Sequence, residues 1–360
     1  MTWFRSRYFP LEHADSADTR SYHRSRRRRA AAAIAIVVTV LTATFFLTMI
    51  VGNFHISPSG VLDILFMGGG SAGDRQVVVD IRLPRVLCSF LVGAALSASG
   101  LAMQSLFKNP MASPSVLGIS SGAAFGASLA ISFGIGGAAL GYYAVPAMAF
   151  LFCFVTIGAV YLLARTRYGV ASLTLLLSGI AVGAFFGGLV SLMQYVANED
   201  VLASIVYWTM GSFNKCGWSA FGMAVVPIVA GALLIASRSR ELNLISAGEE
   251  QASNMGVDIK STRTLLFLGT SLCIGGSVAI SGTIGFVGLI VPHVFRMLVG
   301  PDHKLLMPLC ILGGASFMAA VDAVSKAAFA IPIPVGILTC LLGAPFFIYV
   351  MKTRRREMWE

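Results

Sequence analysis

Apolar runs of about 20 residues recur along almost the whole chain, and they restrict the folds that it can adopt. A helix of about that length spans the hydrocarbon core of a bilayer and satisfies its own backbone hydrogen bonds. Only 12% of the 360 residues are charged and the mean hydropathy is +0.81. A soluble domain carries roughly twice that charged fraction. The sequence therefore predicts an all-α membrane protein with one membrane domain.

Ten spans are predicted, within a membrane domain over residues 30–351 that lies between basic tails at 1–29 and 352–360. The eighth span is short, and Pro332 and Pro334 enforce a tight turn between the ninth and tenth. The first span is expected to be uncleaved, because no site of small residues follows a short apolar core. The predicted spans are Ala30–Gly52, Arg85–Phe107, Pro114–Phe133, Tyr143–Ala164, Ala171–Val196, Ala220–Ala236, Thr264–Gly282, Gly285–Gly300, Leu305–Ala328 and Pro334–Met351.

The distribution of Lys and Arg predicts the orientation of these spans. The clusters RSRRRR (24–29) and KTRRR (352–356) place both termini in the cytoplasm, which requires an even number of spans. With ten spans, all but five of the 26 basic residues fall on the cytoplasmic side. This basic fringe also explains the net charge of +10 without a nucleic-acid partner. The five external residues are Arg75, Arg82, Arg85, Lys215 and Lys326.

The sequence contains no motif for catalysis, nucleotide binding or metal binding. The dipeptide Gly-Lys does not occur, so the phosphate-binding loop is absent and ATP hydrolysis is expected on a separate subunit. His293 has no Cys, Asp, Glu or second His within eight residues, which disfavours a metal site. The six cysteines are interpreted as apolar packing residues. We expect no catalytic residue, no metal and no cofactor.

A polar strip, LISAGEEQASNMGVDIK (244–260), interrupts the apolar sequence in the cytoplasmic loop between the sixth and seventh spans. Ser246 followed by Glu249 matches a capping box, and acidic Glu249 and Glu250 suit the first turn of a helix. Gly256 is predicted to end that helix. The strip therefore predicts one short helix outside the membrane. A helix lying on lipid headgroups is the alternative, which the acidic start disfavours beside an anionic leaflet.

Seven stretches carry longer motifs. They are IRLPR (81–85), SGLAMQSLFKNPMASPSVLGISSGA (99–123), LLLSGIA (175–181), YWTMGSF (207–213), GEEQASNMGV (248–257), SGTIGFVGLIVPHVFRMLVGPDHKLLMP (281–308) and PVGILTCLLGAPFF (334–347). In this order they resemble the FecCD family, the permease subunits of ABC importers for iron–siderophores, haem and vitamin B12. The resemblance implies a type II importer: ten helices per subunit, two permease subunits as a homodimer or paralogous heterodimer, two ATPase subunits and an extracytoplasmic substrate-binding protein.

The resemblance also implies roles for particular residues. A short helix of the loop 237–263 contacts the ATPase in the family, and arginines opening the second span meet the binding protein. Lys326 stands where relatives often carry arginine, although a pairing with Asp322 is equally favoured. Asn109 and Ser172 match positions that close the pathway at the cytoplasmic face. Docking is thus assigned to Arg82, Arg85 and Lys326, and ATPase coupling to Ser246, Ala247, Gly248, Glu249, Glu250, Gln251, Ala252, Asn254, Met255 and Gly256.

The predicted function is therefore that of a permease subunit of an ATP-driven importer in the cytoplasmic (inner) membrane. A ferric siderophore is the cargo that the resemblance favours, with haem or cobalamin as alternatives. A stand-alone channel or secondary transporter is the alternative from another class. Few charges lie within the spans and no proton or sodium relay is visible, which disfavours that alternative. Lipid is an expected partner, and nucleic acid is not.

Overall fold

A computed structural model shows an almost entirely helical chain, as the apolar runs predict. It describes residues 16–52, 54–137, 141–166, 169–170, 172–328 and 331–353. Two strands of two residues each, Arg165–Thr166 and Gly169–Val170, pair antiparallel. The helices in chain order are α1 (Ser16–Ile50), α2 (Pro58–Met67), α3 (Ala72–Leu106), α4 (Ile119–Phe133), α5 (Ala144–Ala164), α6 (Ser172–Val196), α7 (Glu199–Thr209), α8 (Trp218–Ser237), α9 (Ser239–Ala247), α10 (Glu249–Asn254), α11 (Ile259–Ser281), α12 (Val287–Val299), α13 (His303–Ala327) and α14 (Val335–Thr353).

Each of the ten predicted spans coincides with a helix. Seven helices in the described part of the chain, α1, α3, α5, α6, α8, α11 and α13, are long and apolar enough to cross a membrane. The other three, α4, α12 and α14, are shorter apolar helices. α12 has only 13 residues, which confirms that the eighth predicted span is short. The count of ten crossings stays a prediction.

Three helices, α3, α11 and α13, form the enclosed centre of the bundle. Most residues of their apolar stretches are buried, whereas α1, α5, α6 and α8 leave most of theirs at the surface. Apolar faces of this extent suit lipid or a second membrane subunit rather than water. The packing therefore agrees with a membrane domain whose core is made by the second, seventh and ninth predicted spans.

Glycines bring the central helices into backbone contact. Gly93 of α3 lies against Gly314 of α13, and Gly100 of α3 lies against Gly288 of α12. A Cβ atom at any of these positions would overlap main-chain atoms of the facing helix. Small residues at such crossings let helices approach closely where lipid provides no hydrophobic drive for association.

Gly179, Gly183 and Gly187 repeat every four residues in α6, and two of the three lie against the backbone of another segment. Gly179 and Gly183 face the backbone of residues 116–118, which belong to a 3-10 turn before α4 and to the glycine that follows it. A Cβ at Gly187 would have no neighbour within 4 Å. Gly118 has a φ of 73° and separates the 3-10 turn from α4. The third predicted span is thus interrupted near its start.

The chain between α11 and α12 is also interrupted, in a stretch where Gly282, Gly285 and Gly288 repeat every three residues. Gly282 follows α11 with a φ of 69°, and Phe286 precedes α12 with a φ of 66°. The Thr283 hydroxyl donates to the Thr209 carbonyl at 2.5 Å and holds this segment against the end of α7. Non-helical backbone at membrane depth is tolerated inside protein or along a cavity.

Three helical features differ from the prediction. α1 begins at Ser16, well before the predicted start, because no Gly or Pro breaks the helix between the basic tail and the first span. α11 begins at Ile259, earlier than predicted, because Asp258 caps its first turn. α7 is absent from the predicted elements. Asn198 caps this helix, because its side-chain oxygen accepts from the Val201 N–H at 2.9 Å.

The bundle has two ends that carry different side chains. We call the end with Arg85, Asp322 and the α11–α12 connection the Arg85 end. We call the opposite end, with α9, α10 and His303, the His303 end. α3 and α13 pack against each other and run antiparallel between these two ends.

Candidate functional site

The polar strip and the residues just before it fold as two short helices, α9 and α10, at the His303 end. We call residues 239–256, which comprise both helices and the turn after them, the strip. Gly248 separates them with backbone angles of φ 157° and ψ 135°. The predicted single helix is therefore wrong at its start, because Ser246 lies in the last turn of α9. Its hydroxyl donates to the Leu242 carbonyl at 2.8 Å. Ser246 consequently does not cap α10, and the predicted capping box with Glu249 does not form.

The end of α10 agrees with the prediction. The Gly256 N–H donates to the Ser253 carbonyl at 2.9 Å, and the Val257 N–H donates to the Ala252 carbonyl at 3.0 Å. This pair of hydrogen bonds is a Schellman motif, which places a glycine in the left-handed region after the helix. Gly256 has a φ of 82°. Gly256 is therefore confirmed as the helix stop.

One face of the strip is buried against the bundle and the other is exposed. Leu242 and Ile245 of α9 and Ala252 of α10 have no accessible surface. Met255, at the end of α10, is 66% exposed. Met255 is therefore a large apolar side chain on the exposed face of the strip. The other exposed residues that were assigned to ATPase coupling are Ser246, Ala247, Glu250, Gln251, Asn254 and Gly256.

Glu249 anchors α10 to the bundle. Its carboxylate lies 2.9 Å from the Arg263 guanidinium, and Arg263 belongs to α11. Because the Glu249 side chain is 41% exposed, the ion pair contributes at most about 1 kcal/mol to stability. Of the strip residues assigned to ATPase coupling, Glu249 thus has an intramolecular partner that the sequence did not suggest.

Arg82, one of the three predicted docking residues, is turned into the protein. It is 5% exposed, and its guanidinium donates to the carbonyl of Met49, to that of Ile50 at 3.1 Å and to that of Phe54 at 2.5 Å. The last carbonyls of a helix have no partner within it, and Arg82 supplies one for α1. This bonding gives Arg82 a structural role at the end of α1.

Arg85 and Lys326, the other two docking candidates, share the buried carboxylate of Asp322. Asp322 Oδ1 lies 2.7 Å from Arg85 Nη2, and Asp322 Oδ2 lies 3.0 Å from Lys326 Nζ. Asp322 has no exposed surface, and the two cations keep 14% and 10% of theirs. The predicted pairing of Lys326 with Asp322 is confirmed, and the cluster holds one positive charge in excess. A contact of Arg82, Arg85 or Lys326 with a binding protein stays a prediction.

A comparison with known families decides which class of protein has this arrangement. The FecCD transport family matches residues 40–353, which is most of the chain. The chain belongs to the FecCD transport family. It is therefore a multi-pass permease of the ABC-importer type, a class in which the ATPase is a separate partner.

Several FecCD relatives have names that state their cargo. The molybdate import permease MolB of Haemophilus influenzae is 37% identical over 327 residues, covering 89% of this chain and 96% of the relative. The cobalamin import permease BtuC of Halobacterium salinarum is 40% identical over 280 residues, covering 78% and 74%. The hemin permease HmuU of Yersinia pestis is 38% identical over 285 residues, covering 78% and 85%. A solved structure assigned to the metal-chelate type of ABC transporter, in an inward-facing conformation, is 36% identical with a TM-score of 0.78, covering 90% and 99%.

The two predicted gate positions of this FecCD chain lie at helix boundaries. Asn109 lies in the turn that follows α3, and its side-chain oxygen accepts from the Met111 N–H at 2.9 Å. This Asx turn fixes the chain before the 3-10 turn. Ser172 is the first residue of α6, and its side chain lies outside the described residues. Both gate assignments stay predictions.

Sequence reasoning missed a part-buried polar cluster at the His303 end. It joins Asn243 of α9, Asp302 and His303 at the start of α13, and Ser105 near the end of α3. The family stretches 99–123 and 281–308 contain three of these residues, but neither stretch indicates that they meet. The contacts join positions separated by up to 198 residues, so no local pattern could reveal them.

The described cysteines are all free, and five of the six are buried. Cys340 is the exposed one. Within the described residues, no group of three or more His, Cys, Asp or Glu side chains could hold a metal ion. The five buried cysteines pack as small apolar residues, as the sequence predicts.

Proposed function

We propose that this chain is one of two permease subunits of an importer that moves an iron complex into the cytoplasm. An extracytoplasmic binding protein delivers the complex, and two copies of an ABC ATPase drive its transport. The second permease subunit is identical or paralogous. The observation that carries the proposal is the ordered strip α9–α10, which projects an exposed surface at one end of a FecCD bundle.

The His303 end faces the cytoplasm in this proposal. With ten crossings, both termini and the strip lie there, and most Lys and Arg residues are cytoplasmic. The Arg85 end then faces outward, toward the binding protein. Asn109 and Ser172 close the pathway at the cytoplasmic face, where small polar side chains seal it without a permanent barrier.

The strip is the ATPase-contacting surface. Met255 supplies an exposed apolar anchor, and Glu250, Gln251 and Asn254 of the same short helix supply exposed polar side chains. An apolar centre with a polar rim is the usual composition of a protein interface. The buried residues Leu242, Ile245 and Ala252 of the same strip pack it against the membrane helices, so the strip links an exposed surface to the bundle.

The cargo is a ferric siderophore in this proposal, with haem or cobalamin as the alternatives. The relatives are named for molybdate, cobalamin and hemin, and the similar solved transporter is of metal-chelate type. Equilibrium titration of the partner binding protein with a ferric siderophore, haemin, cobalamin and molybdate tests the assignment. We expect the tightest binding for the ferric siderophore. Tight binding of another ligand alone would reassign the cargo.

Replacing Lys326 with methionine should slow association with the binding protein several-fold at low ionic strength. The change removes the excess cation at the Arg85 end and keeps the Arg85–Asp322 pair, so the fold should persist. Complementary charge acts mainly on the association rate and its salt dependence. Stopped-flow association at low and high salt measures both.

The matched control is Lys260→Met, which removes an exposed lysine at the His303 end. We expect it to associate with the binding protein at the normal rate. A Lys326→Met permease with an unchanged rate and salt dependence would show that Lys326 has no part in docking.

A stand-alone channel or secondary transporter is not supported. Membership of the FecCD family places the chain among permeases whose energy comes from a separate ATPase. The exposed strip has an evident use in such a complex and none in a transporter that acts alone.

A further inference from the structure

Asn243 joins the strip to the first turn of the membrane helix α13. Its side-chain oxygen accepts from the His303 N–H at 2.8 Å, and its side-chain nitrogen donates to Asp302 Oδ1 at 2.9 Å. The first N–H groups of a helix have no partner within it, so Asn243 caps α13 from another element. The Asp302 carboxylate accepts from the N–H of Lys304, the second residue of α13, at 3.1 Å.

His303 extends this connection to a third helix. Its Nδ1 lies 2.7 Å from Asn243 Oδ1, and its Nε2 lies 2.5 Å from Ser105 Oγ on α3. An amide oxygen only accepts, so Nδ1 carries the proton. The single proton of the Ser105 hydroxyl has two acceptors within reach, His303 Nε2 and the Leu101 carbonyl at 2.9 Å. His303 is 2% exposed, and both of its ring nitrogens are bonded. α9, α13 and α3 are therefore joined by a continuous chain of hydrogen bonds, part-buried at Asn243 and buried at Ser105.

The helices α3 and α13 are attached to each other at three levels. Ser105 meets His303 at one end, Gly93 touches Gly314 in the middle, and Arg85 pairs with Asp322 at the other end. From His303 to Asp322 the rise along α13 is about 29 Å, roughly the thickness of the hydrocarbon core. Attachments over that whole length favour movement of the two helices as one rigid body.

The strip has a second attachment, but it is weaker. The Glu249–Arg263 pair leads to α11 and has a half-exposed carboxylate, so water screens it. Asn243 instead makes three hydrogen bonds to Asp302 and His303, and the ring of His303, which is 2% exposed, continues the connection to Ser105. A displacement of the strip is therefore transmitted to the α3–α13 pair in preference to α11.

We propose that Asn243 and His303 transmit movement of the strip to the α3–α13 pair and hence to the Arg85 end of the molecule. They act as positioning residues in the coupling of ATP hydrolysis to transport, which rests on the function proposed above. Through them, the nucleotide state of the ATPase moves the same rigid pair that carries Arg85, Asp322 and Lys326 on the outer side.

The variant Asn243→Asp tests this proposal with little change of size. It keeps the oxygen that accepts from His303, but it replaces the donor to Asp302 with a second oxygen and so sets two carboxylates together. In proteoliposomes holding the assembled importer, we expect at least a tenfold fall in cargo transported per ATP hydrolysed. ATPase retention and the thermal midpoint should stay close to those of the wild type. A normal ratio in the assembled variant would overturn the proposal.

A charge-swap rescue separates transmission from a merely structural role. The double variant Asn243→Asp/Asp302→Asn restores one donor and one acceptor in reversed order, and asparagine caps a helix as well as aspartate does. We expect its transport per ATP to return to within about twofold of the wild type. Failure of the rescue in a folded, assembled double variant would contradict the proposal. Asn198→Asp makes the same chemical change at an exposed cap of α7 and should behave as the wild type.

Ser105→Ala provides a second test of the proposal if the Asn243 variants do not assemble. It removes only the last hydroxyl of the connection, and we expect a several-fold fall in transport per ATP in a variant that still folds and assembles, with a thermal midpoint lowered by the loss of one buried hydrogen bond. A wild-type ratio would overturn the proposal. ATP-dependent uptake by the wild-type importer tests the proposed function separately. A wild-type complex without such uptake would refute that function rather than the role of Asn243.

Discussion

Replacing Ala252 with proline should release the ATPase from an otherwise intact permease. The Ala252 N–H donates to the Gly248 carbonyl at 2.9 Å, and proline removes that donor and clashes with the preceding turn. The cost is about 3 kcal/mol, which a six-residue helix that is marginal by itself should not survive. The membrane helices keep their own hydrogen bonds, so insertion and expression should persist.

Pull-down of a tagged ATPase from detergent-solubilised membranes measures this effect. We expect near-complete loss of the ATPase and of cargo import in Ala252→Pro. Ala252→Gly is the matched control, because it retains the N–H and costs only about 1 kcal/mol in a helix. Normal ATPase retention in the proline variant would show that α10 is not the coupling surface.

Replacing Asp322 with alanine should strongly destabilise the membrane domain. The change leaves Arg85 and Lys326, which are 14% and 10% exposed, without a counter-charge. Removing one partner of a buried ion pair costs about 3–5 kcal/mol, because the remaining charge stays out of water. Thermal unfolding in detergent, followed by size-exclusion chromatography, should show a lower midpoint and less folded protein.

Glu241→Ala is the matched control for Asp322→Ala. Glu241 pairs with Arg238 at 3.3 Å, with both side chains partly exposed, so its loss should cost about 1 kcal/mol or less. If the two alanine variants were equally stable, the Arg85–Asp322–Lys326 cluster would have no structural role. Arg85 would then be free to serve docking alone.

Hydropathy predicted where the helices lie because the bilayer selects continuous apolar stretches, whatever their tertiary contacts. It predicted helix ends less well. Ser246 and Glu249 have the spacing of a capping box, yet Gly248 interrupts the chain between them and Ser246 bonds back into α9. The Gly256 stop was predictable, since a left-handed position after a short helix favours glycine locally.

The side-chain clusters could not be predicted from sequence, because their members meet only through packing. Arg85 and Asp322 are 237 residues apart, and Ser105 and His303 are 198 apart. Helical spacing predicted the pairing of Asp322 with Lys326, which are one turn apart, but not the third partner. The resemblance assigned Arg82 to docking, whereas the fold directs it onto the carbonyls that end α1.

We propose that this chain imports an iron complex only together with a separate ATPase. Uptake into proteoliposomes tests this dependence. The permease is reconstituted with and without its ATPase, and uptake of a radioactive ferric siderophore is followed after addition of the loaded binding protein. We expect uptake only when the ATPase, ATP and the binding protein are all present, and no ATP hydrolysis by the permease alone. Uptake by the permease alone, driven by a proton or sodium gradient, would contradict the account.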